Sequence, residues 1–201
     1  MPKDSYRIGS KVYDILIEPF LVKIKWLTVK ILLKRFNKPP DVRFLEVACG
    51  TGTLSHLLSK RGYNVFALDK SYNMIRHTHG KIDGSYSGSV TAILGDASTM
   101  PFYSDSFDAV IIQLGLHEMK NNIRMDSGKE MIRVAKPNAV FLIFDFTPTE
   151  NWSFSKLVLF VIEFFAGIDH FRNGRKFLKD GGLVSFLKNL NLEIKKKAQL
   201  F

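Results

Sequence analysis

Short apolar runs alternate with helical patterns along most of the chain. The runs with strand character are residues 43–48, 64–68, 91–94, 109–113, 139–145 and 192–200. The segments with helical periodicity between them are residues 54–61, 72–79, 126–135 and 183–190. This alternation predicts an α/β domain, with a Rossmann-like, doubly wound and mostly parallel sheet and helices on both of its faces. Ligands of such sheets bind at the carboxyl ends of the strands.

The first forty residues have a different pattern. Residues 8–36 are typical of a helix interrupted at Pro19, and the sequence Lys38-Pro39-Pro40 ends it. Its second half has two apolar stripes with lysines between them, one formed by Phe20, Ile24, Leu27 and Ile31 and the other by Val22, Trp26, Val29 and Leu33. One stripe can pack on the domain, whereas the other needs a substrate, a membrane or a partner.

The composition is that of an ordinary globular domain. The chain has 201 residues, of which 46% are hydrophobic and 24% charged. Cys49 is the only cysteine, so a reducing compartment is expected. The polar N-terminus lacks the character of a secretory signal, and the apolar stretch 152–168 carries Lys156 and Glu163 and is too short to span a bilayer. We therefore expect a cytoplasmic protein.

The net charge of +10 lies at the two ends of the chain. Residues 1–40 carry nine Lys and Arg against three Asp and Glu, and residues 166–201 carry eight against three. Residues 41–165 carry twelve against thirteen, so the middle is close to neutral. Basic flanks favour an anionic partner such as lipid headgroups, nucleic acid or an acidic substrate, and they also serve plain solubility.

The first strand ends in a glycine turn that is preceded by an acid. A dinucleotide site has the pattern G-x-G-x-x-G, whereas here the segment from Gly50 reads Gly-Thr-Gly-Thr-Leu-Ser and lacks the third glycine. Glu46 would repel the pyrophosphate of a dinucleotide and attract an ammonium group. A buried acid of this kind requires a cationic or hydrogen-bonding partner.

Two further acids follow the next two strands. Asp69 ends the second strand, where a carboxylate binds ribose hydroxyls. Asp96 follows the third strand, next to a backbone that can bind the edge of a purine. An amino group, a ribose and an adenine in this order describe S-adenosyl-L-methionine.

Four segments within residues 41–147 then resemble, in the right order, the motifs of class I S-adenosylmethionine-dependent methyltransferases. They are LEVACGTGTLSHLL, NVFALDKSYNMI, GDASTMPFYSDSFDAVI and RVAKPNAVFLIFD. The pattern Asp-Ala-x-x-Met-Pro-Phe in the third is similar to that of the ubiquinone/menaquinone-type and other small-molecule methyltransferases.

The resemblance implies a role for eleven residues. Glu46 would meet the methionine ammonium, directly or through water, and the backbones of Ala48, Gly50 and Gly52 would approach the methionine and ribose. Asp69 would bind the ribose hydroxyls. The adenine would lie along Lys70 or Met74 and be read by Asp96 and Ala97, and Gln113 and Leu114 would line the methionine side. The chain departs from the family pattern at Ala48, where glycine is common.

His117 follows the fourth strand, where the resemblance puts the acceptor close to the sulfonium. A histidine there can remove a proton from a hydroxyl or amine acceptor, or it can pack and hydrogen-bond locally. Methyl transfer from a sulfonium does not require a base, because positioning and desolvation supply most of the catalysis. No metal site is expected, since zinc-spaced cysteines are absent and His77 and His79 lie on different sides of a helix.

The acceptor predicted from these features is a small molecule or a lipid. The segment QLGLHEM lacks the Asn/Asp-Pro-Pro-Tyr motif of enzymes that methylate the amino groups of nucleic-acid bases. It also lacks the Pro-Cys of cytosine methylation, so a nucleic acid is disfavoured as the acceptor. In the resembled family, regions like residues 1–40 and about 148–180 cap the acceptor pocket. Their large apolar side chains favour a quinol, a fatty or polyketide-like compound or a phospholipid. The predicted organisation is thus a helical cap over residues 1–40 and a cofactor-binding domain over residues 41–201.

Peripheral contact with the inner membrane surface is expected through the basic flanks. The family sheet has a sixth and a seventh strand, but residues 192–200 can supply only the sixth. A six-stranded sheet with an unprotected edge is expected, and that edge or the N-terminal helix could form a homodimer.

Two alternative functions stay open at this point. A nicotinamide-dependent oxidoreductase would have the third glycine and no Glu46, and a Tyr-x-x-x-Lys pair is absent from the expected place. A non-catalytic protein that binds S-adenosylmethionine or RNA would have basic rather than apolar residues facing the cleft. Methylation of an oxygen, a nitrogen or a carbon atom is likewise open at this point.

Overall fold

The computed structural model describes residues 18–37, 41–81, 87–148 and 168–196. Its strands are β1 (Arg43–Val47), β2 (Asn64–Asp69), β3 (Ser89–Leu94), β4 (Phe107–Gln113) and β5 (Ala135–Phe144). Its helices are α1 (Glu18–Arg35), α2 (Thr53–Ser59), α3 (Tyr72–Gly80), α4 (Asn121–Val134), α5 (Ile168–Lys179) and α6 (Gly182–Asn189). The predicted α/β class is confirmed.

All strand pairs in the sheet are parallel, and the strand order is β3-β2-β1-β4-β5. From β1 the chain winds outward to β2 and β3, returns to β4 on the other side of β1, and then adds β5. The strand order therefore reverses between β1 and β4, where a parallel sheet opens a crevice at the carboxyl ends of its strands.

Helices cover both faces of this sheet, because the inner strands are apolar on both sides. Along β1, Phe44 packs with α1 and α2 on one face, and Leu45 packs with α4, α5 and α6 on the other. The side chains of Ala109 and Ile111 in β4 likewise face one core, and those of Val110 and Ile112 face the other. The near-continuous apolar runs in the sequence reflect this burial on both faces.

The packed face of α1 lies between the two predicted stripes, which corrects the sequence-based assignment. Its buried side chains are Leu21, Ile24, Lys25, Thr28, Val29 and Leu32. Val29 is therefore buried and does not share the exposure of Val22, Trp26 and Leu33. The face opposite Lys23, Lys30 and Lys34 packs on the domain, and its apolar side chains are interrupted by the buried Lys25 and Thr28. Within the described residues the chain is helical from Glu18 onward, and this helical segment includes Pro19.

Two helix boundaries illustrate what local sequence does and does not determine. α2 ends at Ser59, two residues before its predicted end, and Gly62 closes the turn that follows with a φ of +89° and an N–H donated to the Ser59 carbonyl. α4 begins five residues earlier than predicted. The guanidinium of Arg124 binds the Leu116 and Met119 carbonyls and lies over the Phe177 ring, and these tertiary contacts stabilise the first turn.

The predicted sixth strand is wrong over its described part, residues 192–196, which contain no strand. A helix cap occupies the backbone there. Asn191 adopts a φ of +55°, and the N–H groups of Asn191 and Leu192 bind the Lys188 and Leu187 carbonyls of α6. This is a Schellman motif with asparagine in the left-handed position. The described residues thus form five strands, not six or seven.

Other predictions lie outside the described residues: residues 8–17 of the N-terminal helix, the apolar segment 152–165 and residues 197–200 of the sixth strand. Within the described ranges, no helix is both long enough and apolar enough to cross a membrane.

Candidate active site

An open cleft lies at the carboxyl ends of β1 and β4, where the strand order reverses. Nine of the eleven residues predicted to bind the cofactor line it: Ala48, Gly50, Asp69, Lys70, Met74, Asp96, Ala97, Gln113 and Leu114. The remaining lining residues, Leu68, Gly95, Gly115, Glu118, Met119 and Ile123, were not identified from the sequence. Most of these six directly follow or precede a predicted site residue or strand end, which is the signal that could have identified them.

The glycine turn after β1 is held by β2 and α3. Gly50 donates its N–H to Asp69 Oδ2 at 2.9 Å, and its carbonyl accepts a hydrogen bond from Thr78 Oγ1 at 3.0 Å. A Cβ added at Gly50 would meet open space, so the backbone there is accessible to a ligand. Gly52 does not line the cleft. It precedes α2 with a φ of +69°, and a Cβ there would lie 2.4 Å from the Thr78 methyl group.

Two cleft residues other than glycine adopt left-handed backbone conformations. Ala48 has a φ of +52° and Leu114 a φ of +55°. This conformation costs an L-residue about 1–2 kcal/mol. The two residues lie at the ends of β1 and β4, on either side of the crevice. At Ala48 the conformation accounts for the glycine in the family pattern.

Glu46 lies beneath the glycine turn and outside the cleft lining. Its side chain is buried, and Oε2 accepts hydrogen bonds from Ser55 N at 3.0 Å and from Ser55 Oγ at 2.5 Å. The Ser55 N–H belongs to the first turn of α2. Glu46 therefore stabilises the N-terminus of the helix that follows the turn, through both a hydrogen bond and the helix dipole.

Asp69 connects the glycine turn to the start of α3. Besides the hydrogen bond from Gly50, its Oδ1 accepts one from Ser71 N at 2.9 Å. Burial raises the pKa of Asp69 to about 6, because desolvation, with a smaller contribution from nearby Glu118, outweighs the two backbone hydrogen bonds. Because burial has already removed most solvent from this carboxylate, a ligand that donates hydrogen bonds to it would displace little water.

Asp96 lies on an exposed loop whose position is set by α4. Met100 N donates to Glu130 Oε2, and the Arg133 guanidinium binds the Phe102 and Met100 carbonyls. Partial burial raises the pKa of Asp96, but hydrogen bonds from the Ser98 hydroxyl and N–H outweigh that effect, so its pKa lies below the ordinary value. Asp96 therefore stays ionised at neutral pH.

Gln113 connects the cleft to the N-terminal helix. Its Nε2 donates to Thr28 Oγ1 at 2.7 Å, and Thr28 is fully buried on the packed face of α1. The other end of the amide, Oε1, is a buried acceptor with no hydrogen-bond partner among the described residues. An unmet buried acceptor is unusual and costs stability, so a ligand that brought a donor to this oxygen would bind more tightly for it.

His117 forms a buried pair with Asp145. The Nδ1 atom of His117 lies 2.9 Å from Asp145 Oδ1, and the carboxylate also accepts the N–H groups of Leu116, His117 and Phe146. His117 is 3% exposed and does not line the cleft, although its neighbours Glu118 and Met119 do. The structure therefore places His117 near the cofactor cleft but not in its wall.

The charges in the cleft favour a cationic ligand. Asp69, Asp96 and Glu118 line it together with a single lysine, Lys70. A negative cleft in a chain of net charge +10 disfavours the pyrophosphate of a dinucleotide and suits a sulfonium or an ammonium group. Within the described residues, no group of three or more His, Cys, Asp or Glu side chains could hold a metal ion.

Comparisons with known proteins agree with this site. Residues 44–138 match a family model described as a methyltransferase domain. The demethylmenaquinone methyltransferase of Renibacterium salmoninarum is 37% identical over 118 residues, which are 59% of this chain and 47% of that protein. The chain spans about half the length of the curated relatives it matches.

Solved structures give the same result. The PH0226 protein of Pyrococcus horikoshii is 30% identical, with a TM-score of 0.58 over 70% of this chain and 65% of that one. An S-adenosylmethionine-dependent methyltransferase of Methanosarcina mazei is 26% identical, with a TM-score of 0.51 over 61% of this chain and 59% of that one. Residues 44–138 thus resemble a methyltransferase domain in sequence and fold, and the cofactor that this resemblance implies is S-adenosyl-L-methionine.

The site fits this cofactor on three observations. The glycine turn leaves backbone open to the ligand at Gly50, the acids of the cleft match a cationic sulfonium, and Gln113 offers a buried acceptor that needs a donor.

Proposed function

We propose that the protein transfers the methyl group of S-adenosylmethionine to a quinone-like, lipid-soluble acceptor and releases S-adenosyl-L-homocysteine. The observation that carries the proposal is the acid-lined cleft at the crevice between β1 and β4, whose lining includes Asp69 and Asp96. The acceptor class rests on the names of the relatives, such as demethylmenaquinone methyltransferase. The apolar residues predicted to cap an acceptor pocket support the same class.

In this proposal each cleft residue has a defined role. Asp69 accepts hydrogen bonds from the ribose hydroxyls, and Asp96 and the Ala97 backbone bind the adenine edge. Lys70 and Met74 lie along the adenine, the backbones of Ala48 and Gly50 approach the methionine and ribose, and Leu114 lines the methionine side. Gly52 acts indirectly, by shaping the turn. Because Glu46 lies beneath the turn, it acts on the methionine ammonium through its charge or through water.

When bound, S-adenosylmethionine supplies a methyl group on a sulfonium, which is a good leaving group. The residues of the chain need mainly to hold the donor and the acceptor in line and to exclude water. The buried ends of β1 and β4 provide rigid walls for that purpose. The acid-lined cleft stabilises the positive charge before transfer.

His117 is the residue that we propose takes a proton from the acceptor. Asp145 engages Nδ1, so the proton is exchanged at Nε2, and the buried carboxylate stabilises the imidazolium that forms. His117→Gln should lower kcat about 100-fold or more, and the pH dependence of kcat that we expect of the wild type should be absent from the variant. An unchanged kcat, with S-adenosylhomocysteine affinity and thermal stability intact, would mean that the pair only joins β4 to β5.

The lipid-soluble acceptor and the basic surface of α1 support a location at a membrane surface. We propose that the protein is cytoplasmic and contacts the inner membrane surface through this helix, where Val22, Trp26 and Leu33 are exposed beside Lys23, Lys30 and Lys34. Homodimer formation through α1 or β5, an edge strand among the described residues, is a second proposal. Sedimentation at several protein concentrations tests it.

Methyl transfer to a defined quinol tests the function directly. A demethylated naphthoquinol with an isoprenoid tail, presented in vesicles with methyl-labelled S-adenosylmethionine, should gain the label in the wild type. Asp69→Ala should lose most of this transfer, and Asp105→Ala, a turn residue outside the cleft, should retain it. A wild type that binds S-adenosylhomocysteine but labels no quinol would refute the acceptor class and leave the cofactor intact.

A further inference from the structure

The side-chain amide of Gln113 has a hydrogen-bond partner at its nitrogen and none among the described residues at its oxygen. Its Nε2 donates to Thr28 Oγ1 at 2.7 Å, and its Oε1 is buried with no partner in the described part of the chain. The residue lines the cleft at the end of β4, next to Leu114. A buried carbonyl oxygen that lacks a donor costs about as much as a lost hydrogen bond, so a ligand that supplies a donor gains that amount on binding.

We propose that Gln113 Oε1 accepts a hydrogen bond from the ammonium group of the cofactor, and that Thr28 is a positioning residue that orients the amide for this contact. With Nε2 donating to Thr28, the oxygen is the end of the amide left for a ligand. A carbonyl oxygen accepts from an ammonium and cannot bind a carboxylate, so this orientation selects the amino group of the methionine moiety. The inference rests on the proposed placement of the methionine moiety beside β4.

The charges around this contact agree with an ammonium ligand. Glu118 also lines the cleft, and Glu46 lies buried beneath the glycine turn. Because Glu46 Oε2 is bound by the Ser55 N–H and hydroxyl, that oxygen already has two partners. Gln113 therefore provides a direct contact, whereas Glu46 acts on the same group from behind the turn.

Thr28 belongs to α1, outside the matched methyltransferase segment 44–138. It is fully buried among Leu21, Ile24 and Leu32 on the packed face of the helix. This hydrogen bond makes the docking of α1 part of the cofactor site. The affinity of the domain for its cofactor should therefore depend on a helix that the family model does not include.

Titration calorimetry with three ligands tests the contact. They are S-adenosylhomocysteine, its analogue without the amino group and its analogue without the carboxyl group. Gln113→Met keeps the volume of the side chain and removes the amide. It should weaken S-adenosylhomocysteine and the decarboxylated analogue about tenfold and leave the deaminated analogue unchanged, as a charged hydrogen bond predicts. The melting temperature of the free variant should change little, because removal of an unmet buried acceptor offsets the loss of the hydrogen bond to Thr28.

Thr28→Val removes only the hydroxyl and should reproduce this pattern with a smaller loss, and Thr28→Ser should restore wild-type affinity. Thr91→Val, an exposed threonine on β3, is the matched control and should change nothing. Equal losses for all three ligands, or a loss confined to ligands with a carboxyl group, would overturn the inference. Failure of the wild type to bind S-adenosylhomocysteine would instead refute the cofactor site as a whole.

Discussion

Ala48 and Gly115 face each other across the crevice between β1 and β4. A Cβ added at Gly115 would lie 2.8 Å from the Ala48 Cβ, and its next contacts are side-chain atoms of Ile112 at 3.3 and 3.4 Å. Ala48 itself has a φ of +52°. There is thus room for only one methyl group between the two residues, and in this protein Ala48 carries it despite its left-handed backbone.

A double-mutant cycle should measure that shared space. Gly115→Ala alone should lower the free energy of unfolding by about 1–3 kcal/mol through overpacking. Ala48→Gly alone should be nearly neutral, because relief of about 1–2 kcal/mol of strain is offset by the greater entropy of glycine in the unfolded chain. The double variant should recover at least about 1 kcal/mol of the loss in urea titrations. Additive effects would show that the two residues do not compete.

The pKa of Asp69 makes a prediction about pH. Ribose hydroxyls donate to the ionised carboxylate, so cofactor binding should lower this pKa from about 6 and release a proton. Affinity for S-adenosylhomocysteine should then fall as the pH drops through 6, by up to about tenfold per pH unit. Asp69→Asn should bind weakly and show no such dependence. Asp96→Asn is the control, because Asp96 stays ionised in this range and the slope should persist.

The same pKa predicts the opposite trend for stability. Because the folded-state pKa of Asp69 is raised, its contribution to the stability of the free protein is fully present below about pH 4 and is lost as the pH rises through about 6. Asp69→Asn should remove this part of the pH dependence in thermal melts. A free protein in which Asp69→Asn leaves the stability profile unchanged would contradict the assigned pKa.

At the scale of elements, the apolar pattern predicted the position of a strand wherever that strand is buried on both faces. The carboxyl ends of β1, β2, β3 and β4 lie within one residue of their predicted positions, and they carry the site residues. This is why Asp69 and Gln113 could be placed in advance. Glu118 and Gly115 could not, because they face the cleft only through the turn that follows β4.

Elements that depend on tertiary contacts were predicted less well. The early start of α4 rests on the contacts of Arg124 with Leu116, Met119 and Phe177, which no local pattern contains. Residues 192–196 alternate like a strand, but Asn191 closes the cap of α6 and the Leu192 N–H is used there. Thr28 carries no sequence pattern that predicts a role at the site, because only the packing of α1 brings it to Gln113.

The helix α1 combines two surfaces with different partners. Its packed face contacts the sheet and Gln113, and its outer face exposes Val22, Trp26 and Leu33 beside three lysines. The Arg61 guanidinium lies 5.2 Å from the centre of the Trp26 ring, which adds a further positive charge to that face. An apolar stripe bordered by lysines matches an anionic lipid surface.

Vesicle binding should therefore depend on Trp26. The wild type should bind vesicles of phosphatidylcholine and phosphatidylglycerol more tightly than phosphatidylcholine alone, and added salt should weaken binding. Trp26→Ser should lower the partition coefficient about tenfold, in line with the loss of about 1–2 kcal/mol of aromatic burial. Tyr103→Ser, which removes an aromatic ring that is 91% exposed elsewhere, should have no effect. Equal losses in both variants would contradict a specific role for α1.

At the scale of the whole molecule, the charges are segregated by function. The flanks are strongly basic, whereas the cleft between β1 and β4 is lined by three acids and one lysine. The negative cleft attracts a cationic cofactor, whereas the basic flanks favour contact with an anionic partner such as a lipid surface. Within the described residues, the basic helix α1 contacts the end of β4 through the hydrogen bond between Thr28 and Gln113.

One titration tests the central claim, that this cleft binds S-adenosylmethionine and not a dinucleotide. S-adenosylhomocysteine and NAD are titrated separately into the wild type and into Asp69→Ala, with heat and thermal stability recorded. We expect saturable one-to-one binding of S-adenosylhomocysteine that raises the melting temperature of the wild type and is largely lost in Asp69→Ala, with no binding of NAD. Tighter binding of NAD, or S-adenosylhomocysteine binding that does not depend on Asp69, would contradict the assignment of the cleft.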